Sequence, residues 1–332
     1  MFSLWCDFIQ RDFLENEFRM LIDSGLIQGA TSNPSIFAQS LKTPAYAAAI
    51  ASLKGKNAKD IYEHLAIADI KRAAEILKPL WEKNNANGFI SLEIDPFLCD
   101  DAPKSIDEGV RLHKSIAMPN VMIKVPATPV GYEVMSALVQ RDISVNATLI
   151  FTPHQAKECA LAMQEGIKKA GAKEETKEIQ NTAPHSKIQG VISVFVSRFD
   201  RAVDSVLGSH LRGQMGIINA MDCYEVIEGF KHSSIRTLFA STGVKGEDLP
   251  KSYYIDSLIL PHSVNTAPLE SIRAYEQSTN KAQKTLLSPK SRHSFWESLS
   301  DAGIHREDIS QKLLNEGIVA FQQSFEDMLR AL

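Results

Sequence analysis

The chain has 332 residues, of which 44% are hydrophobic and 23% charged, an ordinary composition for a soluble globular protein and neither disordered nor membranous. A net charge of −4 provides no general attraction to nucleic acid or to an anionic membrane, so local basic groups must carry any anion binding. No apolar run reaches the roughly 18 residues of a spanning helix. The first residues, MFSLWCDFIQRDF, lack the basic and then apolar order of a secretory signal, so a cytoplasmic protein is expected.

In chain order, β-type runs alternate with stretches of helical period. SLWCDF (3–8) is followed by the helical NEFRMLIDSG, then by the run GATSN (29–33). Residues 57–83 form the longest helical reading, with Ile61, Leu65, Ile70, Ala74 and Leu77 on one side and Pro79 as an expected break. GFISLEI (88–94), VMIKVPA (121–127), SVNATLIF (144–151), GVISVFVS (190–197), TLFAST (237–242) and YYIDSLIL (253–260) complete a count of eight runs. The polar stretch 168–187 reads as a surface excursion before the sixth strand, and SVNTAP (263–268) as a turn or loop after the last one. Leu314, Ile318, Phe321, Phe325, Met328 and Leu332 keep helical spacing in a final helix at about 306–331. That helix must cover either the outside of the fold or the mouth of its pocket.

Alternating strands and helices imply parallel strands with helical crossovers. Eight runs, with no GxGxxG turn after any of them, favour a closed (β/α)8 or TIM barrel over a dinucleotide-binding open sheet. No linker divides the chain, so residues 1–332 are expected to form a single barrel domain. The four cysteines make no CxxC pair and read as reduced, buried thiols. The nine histidines form neither HxH nor HExxH spacing, and no metal site is expected.

Several of these runs carry a polar residue near their C-terminal end: Asp7, Asn33, Glu93, Lys124, Asn146, Thr148 and Ser193. In a barrel those ends converge on one face, where residues distant in sequence meet. Lys124, set inside NVMIKVPATPVG, is the sharpest case, because burying a lone charge costs several kcal/mol unless amides, hydroxyls or carboxylates accompany it. One reading is a nucleophilic amine: bringing a lysine from about 10.4 to roughly 7 by desolvation would leave a substantial neutral fraction able to attack a carbonyl. The other is a buried Lys–Glu pair that only holds the barrel together. Asp7 and Glu93, taken singly, fit a helix cap or an ion pair as well as catalysis.

Together LWCDFIQRD, GATSNPSIF, SLEIDPFL, MIKVPATPVG, VNATLIFT, FVSRFDRAVD, ASTGVK and SVNTAP resemble the transaldolase family in order and separation through most of the chain. The resemblance implies a class I aldolase barrel, without metal or organic cofactor, that transfers a dihydroxyacetone unit between sugar phosphates. It assigns Lys124 as the Schiff-base lysine, Asp7 as acid/base, Glu93 as holder of a water and Thr148 beside that water. Asn33 and Asn146 would contact hydroxyls of the three-carbon unit, Ser193 matches the family serine, and Arg198 would bind phosphate. Ser241 and Lys245 look like the second half of the phosphate site, where other branches carry an arginine that lysine cannot match in bidentate geometry. Gln10 stands where related sequences often have a smaller residue. Sugar phosphates are the implied partners, with no nucleic acid or membrane, and a homodimer remains open. Two alternatives are a free aldolase that releases dihydroxyacetone to water, as a fructose-6-phosphate aldolase does, and a non-catalytic phosphosugar-binding barrel.

Overall fold

A computed structural model describes residues 1–174 and 188–332, and in it eight parallel strands close into a ring in sequence order. The strands are β1 (Ser3–Cys6), β2 (Gly29–Ala30), β3 (Ile90–Glu93), β4 (Val121–Pro126), β5 (Ser144–Ile150), β6 (Gly190–Phe195), β7 (Ile235–Ala240) and β8 (Ser263–Ala267). Pairing of β1 with both β2 and β8 closes the barrel. Between β1 and β2 lie α1 (Arg11–Glu15) and α2 (Glu17–Asp23); between β2 and β3 lie α3 (Pro34–Ser40), α4 (Pro44–Ser52) and α5 (Ala58–Lys83). The next crossovers are α6 (Ala102–Ile116), α7 (Pro129–Val139) and α8 (Pro153–Glu174), followed by α9 (Ser197–Val203) with α10 (Met215–Glu228), and by α11 (Tyr253–Ser257). After β8 come α12 (Leu269–Gln277), α13 (Pro289–Asp301) and α14 (Arg306–Arg330), so the expected TIM barrel carries further helices at its C-terminus.

Strand residues of one parity face outward and pack under the helices: Leu92, Ile123, Val125, Val145, Ile192 and Phe239 belong to this outer layer. Residues of the other parity face the barrel axis, where Trp5, Met122, Val191, Leu238 and Val264 form an apolar plug. Above the plug, two residues further along, the inward positions are polar at Asp7, Lys124, Ser193 and Thr266. The plug therefore excludes water from the floor of the polar layer.

Two local expectations need correction. YYIDSLIL is not a strand: Tyr253–Ser257 is α11 and the rest is irregular, while the eighth strand is Ser263–Ala267, within the stretch expected to be a loop. The run is apolar because Tyr254 and Ile255 on α11 and Leu258, Ile259 and Leu260 just after it are all buried, without the period-two alternation of a half-buried strand. SVNTA looked unlike a strand because Thr266 faces the site and Asn265 accepts a hydrogen bond from Thr242 Oγ1 at 3.0 Å. Nor does Pro79 break α5, which runs on to Lys83. The proline is exposed, so water can solvate the carbonyl that its missing N–H leaves free, while Ala74, Leu77 and Trp81 keep the opposite face packed. Of the polar stretch, 168–174 completes α8 and 175–187 lie outside the described residues.

Candidate active site

The segment around Lys124 is built for a sharp strand-to-helix transition. β4 ends at Pro126, Thr128 caps α7 by accepting the Gly131 N–H at 3.0 Å, and Pro129 starts the helix without needing a donor. A Cβ at position 131 would stand 1.9 Å from the Pro126 carbonyl oxygen, so only glycine lets α7 fold this close to the strand. The inward-pointing Lys124 is thereby fixed one turn below the rim.

Register then assembles its neighbours. Glu93 pairs with Lys124 across β3 and β4, and Lys124 with Asn146 across β4 and β5, which sets three polar side chains at one level. Lys124 is 6% exposed; its Nζ lies 3.2 Å from Glu93 Oε2 and donates to the Ser32 carbonyl at 3.3 Å. Glu93 Oε2 is held in ion-pair contact by Lys124, while the buried Thr148 Oγ1, on the cavity wall, has no hydrogen-bond partner among the described residues. Burial pushes the Glu93 carboxyl above its ordinary value, and the Lys124 charge only partly offsets this.

Asp7, just past the end of β1, is two strands from Glu93 around the ring. Thr31 Oγ1 donates to Asp7 Oδ1 at 2.6 Å and lies 2.6 Å from Thr266 Oγ1, which must donate to it in turn because the Thr31 proton is committed. Burial raises the Asp7 pKa, with the Thr31 bond and Lys124 acting in the opposite direction. Ser193 Oγ donates to Asn146 Oδ1 at 2.6 Å, and Asn146 Nδ2 donates to Ser91 Oγ at 2.9 Å, which locks the amide's orientation. Asn33 caps α3 by accepting from Ile36 N–H at 3.0 Å, leaving its amide nitrogen for the cavity.

That cavity, about 190 Å³, opens at the C-terminal ends of the strands. Asp7, Asn33, Lys124, Asn146, Thr148 and Ser193 line its inner part, and Arg198 and Ser241 its outer end. Glu93 sits behind Lys124 rather than on this wall. The Arg198 guanidinium, on the first turn of α9, stacks 4.9 Å over the Phe195 ring and forms no ion pair among the described residues. Burial lowers its pKa, Arg201 adds to the effect and Glu316 opposes it. Ser241 closes β7 with a φ of 53° and places its Oγ 3.1 Å from Ser197 Oγ. Lys245 is exposed and is not among the lining residues. Gln10 caps α1 by accepting from Phe13 N–H at 2.9 Å and takes no part in the cavity.

Six lining residues escaped the sequence reading, Thr31, Ser35, Phe195, Ala240, Thr266 and Phe321, and three of them show why. Thr31 had a signal, since it lies two residues before Asn33 in GATSN. Thr266 was hidden by the misread eighth strand. Phe321 was read as part of an apolar helix face; its ring in fact hangs over the site, 5.2 Å from Lys124 Nζ.

The sequence model of the Transaldolase/Fructose-6-phosphate aldolase family matches residues 4–332. The chain belongs to this family. A protein named Transaldolase from Helicobacter pylori is 51% identical over 331 residues, covering 99% of each chain. Another of that name from Campylobacter jejuni is 46% identical over 334 residues, covering all of this chain and 99% of the relative. The resemblance carried by the motifs is therefore borne out, and the transaldolase-family barrel presents its cavity at the strand C-termini with α14 across the mouth. No helix among the described residues is long and apolar enough to cross a membrane.

Proposed function

We infer that this chain is a transaldolase of the pentose phosphate pathway, transferring a dihydroxyacetone unit from sedoheptulose 7-phosphate or fructose 6-phosphate to glyceraldehyde 3-phosphate or erythrose 4-phosphate. The observation that carries the reading is a buried amine 3.2 Å from one carboxylate and sharing a cavity with a second, in a chain about half identical to transaldolases over its whole length. Glu93, with its raised pKa, accepts a proton from Lys124 and leaves a neutral amine. Lys124 Nζ attacks the C2 ketone, and the carbinolamine loses water with Glu93 and Thr148 handling the proton and the departing hydroxyl. The product is a Schiff base.

Asp7 takes the proton of the C4 hydroxyl, the C3–C4 bond breaks, and its electrons flow into the iminium to give an enamine on Lys124. The aldehyde phosphate leaves. When the acceptor aldehyde arrives, the enamine carbon attacks it, the new alkoxide recovers the proton from Asp7, and hydrolysis of the Schiff base frees the longer ketose. Asn33, Asn146 and Ser193 hold hydroxyls of the three-carbon unit, and Arg198 with Ser241 holds the phosphate by charge-assisted hydrogen bonds. Lys245 adds positive charge from the loop outside the cavity. Residues 1–332 act as one barrel domain in the cytoplasm, on substrates that carry their own phosphate handle.

Borohydride reduction in the presence of fructose 6-phosphate should add a three-carbon adduct to the chain, and peptide mapping should place it on Lys124. An unmodified Lys124 would refute the mechanism. Adding erythrose 4-phosphate should convert fructose 6-phosphate to sedoheptulose 7-phosphate faster than dihydroxyacetone is released, which distinguishes transfer from free aldol cleavage.

A further inference from the structure

A transferase that works through an enamine must keep that enamine from water until the acceptor arrives. Protonation of the enamine at C3 gives back the iminium, water then adds at C2, and the C–N bond breaks to return the Lys124 amine and free dihydroxyacetone. The sum is enamine plus water to ketone plus amine, so the leak needs no reactant beyond solvent. What stops it must be a feature of the site that occupies space beside Nζ without offering a proton.

Phe321 has that position. Its ring centroid is 5.2 Å from Lys124 Nζ, and the residue is only 8% exposed although it lines the open cavity. It also lines a second space of about 10 Å³, room for roughly one water molecule, with Glu93, Pro126, Leu149 and Ile318. The ring is thus a partition: substrate cavity on one side, a water-sized compartment against Glu93 on the other. α14 is seated so that the ring cannot swing away freely. Ser324 Oγ lies 2.9 Å from Ser35 Oγ at the cavity lip, Gln322 Nε2 donates to the Pro96 carbonyl at 3.3 Å, and Phe325 stacks edge-on against Tyr62 at 5.3 Å. At Gly317, one turn earlier, a Cβ would stand 2.8 Å from Leu149 Cδ2 and 3.2 Å from Arg198 Nη1, so the helix lies flush on the outer end of the cavity.

We propose that Phe321 determines the choice between acceptor and water: its ring walls the substrate cavity, where the enamine carbon lies, off from the water-sized space behind it and from bulk solvent, making the enzyme a transferase rather than a free aldolase. This deepens the transaldolase reading and rests on it. Having no donor or acceptor group, the side chain can exclude water but not deliver it or a proton. Its removal therefore changes partitioning between products more than it changes formation of the Schiff base.

The test measures dihydroxyacetone released and sedoheptulose 7-phosphate formed from fructose 6-phosphate and erythrose 4-phosphate, in the wild type, Phe321→Ala, Phe321→Val and Phe321→Leu. The ratio of release to transfer should rise about tenfold or more in F321A, less in F321V, and stay near wild type in F321L, which fills most of the same volume. Borohydride trapping on Lys124 should persist throughout. If F321A fails to fold, judged by its melting curve, the trend between F321V and F321L decides. An unchanged ratio in adduct-forming variants overturns the proposal while leaving the transaldolase reading intact. No adduct and no transfer in the wild type would remove both.

Discussion

Lys124 and Asp7 differ in how their surroundings prepare them. Lys124 sits against a carboxylate that is itself easily protonated, so the pair can pass one proton between them without exposing a net charge to the apolar plug below. In its proposed role Asp7 must be ionised to take the C4 proton, yet burial raises its pKa. The acid limb of kcat/KM for fructose 6-phosphate cleavage is therefore expected above the ordinary aspartate value of about 3.9. Activity falls as pH drops through that limb. Disrupting the Thr31 bond with Thr31→Val, which removes a contact that favours the carboxylate, should move the limb further up, and a pH–rate profile of the two proteins checks it. A limb that stayed in place would mean that another group titrates there.

At the level of elements, the α9–α10 corner positions Arg198 through a buried acid. Asp200 Oδ1 accepts the Gly216 N–H at 3.0 Å near the start of α10, and Tyr254 Oη donates to Asp200 Oδ2 at 2.8 Å from α11. Burial raises its pKa from 3.8 to about 6, despite these two bonds. The folded state therefore holds this proton more tightly than the unfolded chain does. Its contribution to stability is complete below about pH 4 and is lost as pH rises through about 6, a decline of about 3 kcal/mol. Asp200→Asn should abolish that decline. Urea midpoints at pH 4.5 and 7 would show the difference between wild type and variant shrinking or reversing toward pH 7; a constant difference would disprove the assignment.

Legibility also varied by element. Strands β3 to β7 were readable because their outward residues are apolar and each carries β-type runs long enough to stand out. β2, two residues long, was found only through GATSN as a whole. The eighth strand was missed because its polar side chains are satisfied by partners distant in sequence, Thr266 by Thr31 and Asn265 by Thr242, which no local pattern displays. YYIDSLIL erred in the other direction: its burial comes from packing beside α12, and Tyr254 reaches across to Asp200. The count of eight survived because one false strand replaced one hidden strand.

For the whole molecule, the proposed mechanism makes the iminium on Lys124 the electron sink for C–C cleavage, so on this reading the reaction needs no Lewis acid. Turnover should accordingly withstand exhaustive treatment with EDTA and a second chelator, assayed by coupled glyceraldehyde 3-phosphate formation. Loss of activity that added divalent cation restores would contradict it. The chemistry depends instead on closure. Segments distant in the chain, at β1, after β2, at β3 to β5 and at α14, meet around one amine.

The sequence alone determined the rhythm of strands and helices, the apolar outer faces, and which polar residues sit at strand ends, because period-two and period-3.6 patterns are local consequences of burial. It also supplied the residues proposed to carry the chemistry. Tertiary structure alone decided that Glu93 stands behind Lys124, that Thr31 and Thr266 orient Asp7, and that Lys245 stays outside the cavity while Phe321 enters it. These are facts of register and helix docking. They depend on which distant surfaces meet, and a local pattern cannot encode a distance to a residue some two hundred positions away.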